Sequence, residues 1–238
     1  MKILVIDNTI DPDSWGSADL VQQLRVRPDA TITVRRGPAG DLPRDPRAFD
    51  RIVVSGSKAS CNIDEPWTTA LLDFIRKSVD TRRPLLGVCF GHQMLARAMG
   101  GAASVGVAAH AEVGWSQVEL VGESPLFAGL PREFHTFSSH YDEVRSLPAG
   151  LKNLAKSAAC PIQAVQLEDG RPVFGIQFHP ERDVAGAAKT FAGAPTELKR
   201  RGLSPDLVLL HPSPKESARL YDPTVATRIF RNFLELAP

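Results

Sequence analysis

The sequence predicts a single α/β domain in three layers, with helices on both faces of a central, mostly parallel sheet. Short apolar runs of strand length alternate with segments of helical spacing through the first hundred residues, a pattern typical of parallel sheets. These runs are nearly continuously apolar, as expected for strands that are buried on both faces. An amphipathic segment at residues 222–236 closes the chain. Together these observations predict a flavodoxin-like arrangement.

The first four strands and three helices can be placed in order. Strands are predicted at residues 2–7, 30–36, 49–56 and 84–88. Helices are predicted between and after them, at residues 14–24, from Asp64 to Val79, and from the residue after Cys89 to Gly100. The second helix should have Asp64 as its N-cap and Pro66 in its first turn, because a short acidic side chain and a proline favour those positions.

The second half of the chain has a different pattern. After Gly101, strand-like segments follow one another at residues 115–121, 134–139, 152–158, 161–168 and 172–179. The residues EDGR between the last two segments predict a hairpin turn. Residues 183–220 are less regular and contain several prolines, so we expect them to form a helical insertion or lid. Because no linker interrupts the chain, residues 1–238 are expected to form one domain.

Charge and composition restrict the possible functions. The apolar fraction is 43% and the formal net charge is +1, which is typical of a globular protein. Lys and Arg form no dense basic stripe, so we expect no nucleic-acid partner. The short basic cluster at residues 198–202 is interpreted as solvated surface. No segment has membrane-spanning length and the N-terminus resembles a strand rather than a signal peptide, so a cytoplasmic protein without a membrane partner is expected.

Cys89 is the first candidate catalytic residue. It follows the apolar run 84–88 directly, precedes a helical pattern, and has Gly87 and Gly91 on either side. A nucleophile on a sharp strand-to-helix turn requires small residues at these two positions. The helix N-terminus would favour the thiolate, and the amide of Phe90 would point toward a developing oxyanion. The pattern alone is weak, and a buried structural cysteine is the alternative interpretation.

A histidine and a glutamate complete a possible triad. His179 ends the strand-like run 172–179, and Glu181 follows two positions later. The carboxyl ends of neighbouring strands meet at one edge of a parallel sheet, so His179 is expected near Cys89. His179 could then accept the thiol proton while Glu181 orients the imidazole. His92 is a weaker candidate for the base, because its helix leads away from the turn. No histidine or cysteine pair has metal-ligand spacing, and no phosphate-binding loop is present, so no metal or cofactor is expected.

The two long motifs resemble the class I (triad-type) glutamine amidotransferase family. They are GVCFGHQMLARAMGG around Cys89 and GIQFHPE ending at Glu181. Within the family, the chain looks like a stand-alone domain of the GMP-synthase-like type. The segment DRIVVSGSKASCNIDEPW resembles the family's oxyanion segment, and EVGWSQVEL and SSHYDEV follow in the family's order.

The resemblance implies a role for each matching position. Cys89 would attack the side-chain amide carbon of glutamine to give a γ-glutamyl thioester and ammonia. His179 would act as base and then acid, Glu181 would orient it, and the amides of Gly56 and Phe90 would form the oxyanion hole. Substrate-binding positions would be Gln93, Ser139, His140, Tyr141 and Asp142.

One departure from the family concerns the oxyanion segment. Many relatives have two adjacent glycines there, whereas Ser57 and Lys58 follow Gly56 in this chain. If the peptide after Gly56 is restricted, turnover is expected to be slow or to depend on a partner.

Three functional interpretations remain open at this point. The first is a glutaminase subunit or stand-alone amidotransferase that supplies ammonia to a synthetase in trans. The second is a γ-glutamyl peptidase that acts on γ-glutamyl conjugates with water as the acceptor. The third is a non-catalytic regulatory or scaffold protein, which the joint presence of Cys89, His179 and Glu181 argues against.

Overall fold

The computed structural model describes residues 1–204, 208–210 and 213–237, with the backbone alone for 208–210. Within these ranges, ten strands form one sheet. The strands are β1 (Lys2–Asp7), β2 (Thr31–Arg36), β3 (Arg51–Val54), β4 (Leu85–Val88), β5 (Val105–Leu120), β6 (Glu133–Val144), β7 (Leu151–Lys156), β8 (Ala164–Leu167), β9 (Val173–Ile176) and β10 (Val208–Leu210). The helices are α1 (Ala18–Leu24), α2 (Pro66–Asp80), α3 (Phe90–Gly100), α4 (Val184–Arg201) and α5 (Pro223–Glu235).

The sheet is parallel in one half and antiparallel in most of the other half. Strands β2, β1, β3, β4 and β9 lie side by side in that order and pair in parallel. From β9 the pairing continues antiparallel through β8, β7 and β5 to β6, while β10 pairs in parallel with β5. The carboxyl ends of β1, β3, β4 and β9 therefore meet at one edge, where α/β proteins bind their ligands.

Helices cover both faces of the parallel half, which confirms the three-layer prediction. Alternate side chains of a strand point to opposite faces, so Ile3 and Val5 of β1 face one core and Leu4 and Ile6 face the other. The first core is completed by α1 and α5 through Leu20, Leu24, Ile229 and Phe230. The second is completed by α2 and α3 through Leu71, Ile75 and Leu95.

Two helix starts differ from the prediction. Helix α1 begins at Ala18 rather than at residue 14, because the Asp7 carboxylate accepts hydrogen bonds from the amide (2.9 Å) and hydroxyl (2.6 Å) of Ser17 and holds the preceding loop. The predicted N-cap of α2, Asp64, is wrong. Glu65 is the N-cap, and its amide donates to the Thr68 hydroxyl at 2.9 Å.

Strand β5 is much longer than the predicted 115–121. Residues 105–114 contain several Gly and Ala residues, which carry no strand signal. They nevertheless extend the strand because they pair with β6, with an irregularity between Val107 and Glu112. Pairing across the sheet therefore determined the length of β5.

The hairpin turn predicted at EDGR is confirmed, since β8 and β9 pair antiparallel across it.

The expected insertion at 183–220 begins with the 18-residue helix α4. The Asp183 carboxylate accepts from the Gly186 amide at 2.7 Å at its start, and Gly202 ends it in a left-handed conformation with φ 63°. Residues 205–207 and 211–212 of the expected insertion lie outside the described residues. In the part of the chain described, no helix combines the length and apolar character required to cross a membrane.

Candidate active site

Cys89 lies at the junction of β4 and α3 in a strained conformation. Its φ is 51° and its ψ is −104°, an unusual combination for a residue with a side chain. Such conformations cost about 1–3 kcal/mol and concentrate at functional sites. The Cys89 amide donates to the Ile176 carbonyl at 2.7 Å, which holds the turn against β9. The sulfur consequently lies at the sheet edge, 3.8 Å from the Ser139 carbonyl oxygen.

The two glycines beside Cys89 are needed for space, as the sequence predicts. A Cβ at Gly87 would lie 2.5 Å from the carbonyl group of Gly91. A Cβ at Gly91 would overlap the carbonyl oxygen of Val54 in β3. Backbone atoms meet in both cases, so neither contact can be relieved by rotating a flexible side chain.

Gly91→Ala is expected to lower the free energy of unfolding by about 1–3 kcal/mol, the usual range for overpacking. The added methyl group collides with the backbone of β3 and must displace it. Thermal unfolding should show a fall of about 2–4 °C per kcal/mol for a domain of this size. Gly193→Ala is the control, because a Cβ added at that glycine of α4 would have open space around it, with nothing within 4 Å. Equal stability of the two variants would contradict the packing argument.

His179 and Glu181 are brought to Cys89 by the loop after β9. The His179 amide donates to the Phe137 carbonyl of β6 at 2.7 Å. Its Nδ1 lies 2.7 Å from Oε1 of Glu181, and its imidazole is near enough to Cys89 for that group to raise the imidazole pKa. All three functional groups are buried. The three residues that the sequence predicts as a triad are therefore adjacent in the structure.

The electrostatics of this group favour a protonated imidazole. Burial alone would lower the pKa of His179, but the charges of Glu181 and Cys89 outweigh it and raise the pKa to about 10. Burial would likewise raise the pKa of Glu181, yet the His179 charge and hydrogen bond hold it below its usual value. His179 can therefore carry a proton at neutral pH and donate it to a leaving group.

Gly56 and Phe90, the predicted oxyanion-hole residues, flank the cysteine. A Cβ at Gly56 would lie 3.0 Å from Cε1 of His179 and 3.6 Å from Cβ of Cys89, so its backbone directly faces both. Phe90 is the first residue of α3, where an amide has no intrahelical acceptor. Within the described residues, neither amide donates a hydrogen bond. Both could donate to a bound oxyanion.

The segment after Gly56 is held by hydrogen bonds that the sequence analysis did not predict. The Ser57 hydroxyl donates to the Asn8 carbonyl at 2.6 Å, and the Asn8 side-chain amide donates to the Ser55 carbonyl at 3.0 Å. The Arg200 guanidinium donates to the Lys58 carbonyl at 2.6 Å. These hydrogen bonds hold the residues on both sides of Gly56; the slow or partner-dependent turnover expected from the missing second glycine stays a prediction.

A cavity of about 400 Å³ opens beside Cys89. It is bordered by the loop after β1, the loop after β3, strand β6 and helix α4. All five predicted substrate-binding residues line it, namely Gln93, Ser139, His140, Tyr141 and Asp142. The volume is within the usual range for small-molecule sites.

The side chains of these five residues are not equally available to a ligand. The Gln93 amide donates to the Asp142 carbonyl at 2.7 Å and to Oε1 of Gln177 at 3.1 Å. The His140 ring nitrogens lie 3.2 Å from the Asp142 carbonyl oxygen and 3.1 Å from Oε2 of Glu112. Gln93 and His140 therefore line the cavity, but their polar side-chain atoms already form hydrogen bonds with other groups of the protein. Their role toward a substrate stays a prediction.

Arg201 is a cavity residue that the sequence analysis missed. Its guanidinium lies 3.1 Å from Oδ2 of Asp142 and 2.7 Å from Oε1 of Glu197, and it lies 5.1 Å from the ring centre of Tyr141. Its side chain is 12% exposed. The interpretation of the basic cluster 198–202 as solvated surface is therefore wrong for Arg201. Its ion pair with Asp142 links α4 to β6 across the cavity.

The remaining cysteines and His92 are not placed for catalysis. Cys61 and Cys160 are buried, and burial raises the pKa of both thiols. His92 is fully buried, and burial followed by the charge of His140 lowers its pKa to about 3. In the described ranges, no group of three His, Cys, Asp or Glu side chains could hold a metal ion.

Sequence comparison places most of the chain in one family. Residues 18–192 match the family described as Glutamine amidotransferase class-I. A glutamine-hydrolyzing GMP synthase subunit from Thermococcus kodakarensis is 45% identical over 98 residues, which are 41% of this chain and 50% of that protein. The same-named protein of Methanocaldococcus jannaschii is 40% identical over 104 residues, 44% of this chain and 54% of that protein. The chain spans about half the length of the curated relatives it matches.

Solved structures share the fold over nearly the whole chain. A glutamine amidotransferase from Methylobacillus flagellatus aligns with a TM-score of 0.78 at 25% identity, covering 98% of this chain and 94% of that one. A glutamine amidotransferase from Thermotoga maritima aligns with a TM-score of 0.74 at 22% identity, covering 99% and 96%, which shows the fold alone. Since the family match also covers well over half of the residues, the chain belongs to the class-I glutamine amidotransferase family.

Proposed function

We propose that the protein hydrolyses the side-chain amide of L-glutamine through a γ-glutamyl thioester on Cys89. The observation that carries this proposal is that Cys89, His179 and Glu181 line one cavity, with Nδ1 of His179 lying 2.7 Å from Oε1 of Glu181. A nucleophile, a proton-transfer group and an orienting carboxylate are what acyl transfer requires. Membership of the family supports glutamine as the acyl donor.

In the first half of the reaction, the Cys89 thiolate attacks the amide carbon and an S–C bond forms. The carbonyl oxygen becomes an oxyanion, to which the amides of Gly56 and Phe90 donate hydrogen bonds. His179, protonated because its pKa is about 10, gives its proton to the amide nitrogen. The C–N bond then breaks and ammonia leaves, so the γ-glutamyl group remains on the sulfur.

In the second half, water hydrolyses the thioester. Neutral His179 accepts a proton from the water as its oxygen bonds to the acyl carbon, and Glu181 stabilises the resulting imidazolium. The S–C bond breaks, glutamate leaves, and the thiolate–imidazolium pair is restored. The same two amides would stabilise both tetrahedral intermediates.

We also propose that the ammonia is used by a separate acceptor enzyme. The curated relatives bear the name of a subunit of GMP synthase, which supports a synthetase partner. The test is glutamine-dependent GMP formation by this protein mixed with the GMP synthase synthetase subunit of the same organism. Synthesis with the mixture and not with either protein alone would support the partnership. Synthesis with added ammonium but never with glutamine would contradict it.

The glutaminase proposal is tested by ammonia release from L-glutamine by the purified protein. γ-Glutamyl dipeptides are assayed in parallel. Release from glutamine with the dipeptides untouched is the expected result. Cleavage of the dipeptides with no release from glutamine would contradict the proposal.

The size of the cavity favours a second candidate, a γ-glutamyl peptidase. The cavity volume of about 400 Å³ is in the range of sites that hold drug-sized ligands, whereas glutamine has only ten non-hydrogen atoms. The cavity lining includes Lys58 and Lys189. A γ-glutamyl conjugate with an anionic leaving group is therefore the substrate class that this candidate predicts. A higher kcat/KM for such conjugates than for glutamine would favour this candidate.

We propose that residues 1–238 form a single domain. Within it, we propose that α4 acts as a lid over the cavity. The helix borders the cavity, and Arg201 links it to Asp142 and to the Lys58 carbonyl. Bound substrate should therefore hold α4 in place. Limited proteolysis within α4 should slow when a glutamine analogue is attached to Cys89, and an unchanged cleavage rate would contradict the lid.

Glu181→Gln is expected to lower the pKa of His179 from about 10 toward its ordinary value of about 6.5. The glutamine can still accept a hydrogen bond but lacks the charge that favours the imidazolium. Ammonia release should fall by about a hundredfold or less, a smaller effect than the loss of His179 itself. NMR titration of the imidazole and steady-state assays measure the two effects. Glu168→Gln, at an exposed carboxylate, is the control; an equal response of both variants would remove Glu181 from the mechanism.

A further inference from the structure

Two arginines at the end of α4 contact the segment that follows Gly56. The Lys58 carbonyl accepts hydrogen bonds from Nη2 of Arg200 at 2.6 Å and from Nη2 of Arg201 at 3.0 Å. The same nitrogen of Arg201 lies 3.4 Å from the Ala59 carbonyl oxygen. Hydrogen bonds from a charged donor are about twice as strong as those between neutral groups. A backbone carbonyl two residues after Gly56 is therefore held by two guanidinium groups of another element.

Glu197 fixes the direction of both guanidinium groups. Its Oε2 accepts from Nε of Arg200 at 2.9 Å, and its Oε1 accepts from Nε of Arg201 at 2.7 Å. Residues three and four positions apart lie on the same face of a helix, so the three side chains form one cluster. The side chains of Glu197 and Arg201 are 11% and 12% exposed, so salt screens their ion pair less than it screens an exposed pair.

The rest of the segment around Gly56 is held by other elements. On one side, the Asn8 side-chain amide donates to the Ser55 carbonyl at 3.0 Å. On the other side, the Arg97 guanidinium of α3 donates to the Cys61 carbonyl at 2.7 Å. The two carbonyls that the arginines of α4 contact lie between these anchors. The middle of the segment therefore depends on α4 for its side-chain hydrogen bonds.

Gly56 connects this segment to the reacting groups. A Cβ at Gly56 would lie 3.0 Å from Cε1 of His179 and 3.6 Å from Cβ of Cys89, so its backbone faces both side chains. A glycine has more accessible backbone conformations than any other residue. The direction of the Gly56 amide is therefore set by the contacts that hold the chain on either side of it.

We propose that Arg200 and Arg201 are positioning residues for the oxyanion hole: they hold the Lys58 carbonyl and so keep the Gly56 amide directed at the reacting carbonyl group. This inference rests on the proposed glutaminase function. The oxyanion hole is complete only while α4 lies against the segment, so the position of α4 regulates the chemical step. Because oxyanion donors act on the transition state, loss of the two arginines should appear in kcat.

A double-mutant cycle of Arg200→Ala and Arg201→Ala tests the proposal. Each single variant leaves one guanidinium on the Lys58 carbonyl, so kcat for L-glutamine should fall by less than about threefold. The double variant leaves none, and its kcat should fall about thirtyfold or more, which approaches the loss of one oxyanion donor. The effect of losing the ion pair between Arg201 and Asp142 is present in both backgrounds and cancels in the cycle.

Lys199→Ala is the matched control, because Lys199 is an exposed cation in the same turn of α4. Among the described residues, its side chain donates to none of the carbonyls of residues 55–59. Its kcat should stay within about twofold of the wild-type value, as is usual for a surface substitution. A loss in this variant equal to that of the double variant would overturn the proposal.

Hydrogen–deuterium exchange provides a second readout that does not need catalysis. The peptide 55–60 should exchange faster in the double variant than in the wild type and in Lys199→Ala, while peptides from β1 and α5 stay unchanged. Unchanged exchange at 55–60, faster exchange throughout the protein, or a double-variant loss in kcat no larger than the product of the single losses would each overturn the proposal. If the wild type released no ammonia, the proposed function would fail, and exchange alone would decide whether the two arginines hold the segment.

Discussion

Cys89→Ala is expected to reduce ammonia release from L-glutamine to the uncatalysed rate, because the thioester cannot form without the sulfur. No other thiol can replace it. Cys61 and Cys160 lie outside the cavity lining, and burial raises the pKa of both. The fold should remain, since the change removes one buried atom and leaves Gly87 and Gly91 in place. The measurements are ammonia release and thermal unfolding of the wild type and of Cys89→Ala.

Cys61→Ala is the control for Cys89→Ala. Cys61 is also a free, buried cysteine, so both variants lose one sulfur from the interior. Only Cys89→Ala should fail to gain the mass of a glutamine analogue with an electrophilic group on its side chain. Wild-type ammonia release by Cys89→Ala, or equal labelling of both variants, would refute Cys89 as the nucleophile.

The nucleophile turn could be predicted because its requirements are local in sequence. The buried strand 84–88, the glycines at 87 and 91 and the helix that follows all lie within one short stretch. The backbone geometry that they produce, φ 51° at Cys89, follows from that stretch and its neighbours in the parallel sheet. His179 and Glu181 are distant from Cys89 in sequence and could be predicted for a different reason, because the carboxyl ends of strands in a parallel sheet meet at one edge.

The supporting residues could not be predicted because their partners are distant in sequence. Arg201 contacts Asp142 across 59 positions, and Glu112 contacts Gln163 across 51. A basic cluster has the same composition whether it faces solvent or a buried carboxylate, so the interpretation of residues 198–202 as solvated surface was wrong for Arg201. The same limitation affected Asp64, whose carboxylate pairs with Arg97 of α3 instead of capping α2.

Strand β5 illustrates a related limit on fold prediction. Residues 105–114 lack the β-branched and aromatic side chains that indicate a strand over most of their length. These residues form a strand because pairing with β6 supplies their hydrogen bonds. Strand β6 is itself longer than its predicted range of 134–139. This extension is functionally relevant, because it carries residues 139–142 along the cavity.

His179→Ala is expected to lower kcat/KM for L-glutamine by about 10²–10⁴-fold or more. Loss of general acid–base catalysis accounts for that range, and the nucleophile also loses its charged partner. The Glu181 carboxylate would then be buried without the cation that holds its pKa below the usual value. His110→Ala is the control, because His110 is exposed and lies outside the cavity lining.

The pH profile separates the loss of His179 chemistry from a general loss of stability. In the wild type, the imidazolium that protonates the leaving ammonia is lost as the pH rises through the His179 pKa of about 10. The kcat/KM of the wild type and of His110→Ala should therefore decline on the alkaline side near that value. The residual activity of His179→Ala should lack this decline, because no group with that pKa remains in the proton transfer. An alkaline decline that persists unchanged in His179→Ala would assign the proton transfer to another residue.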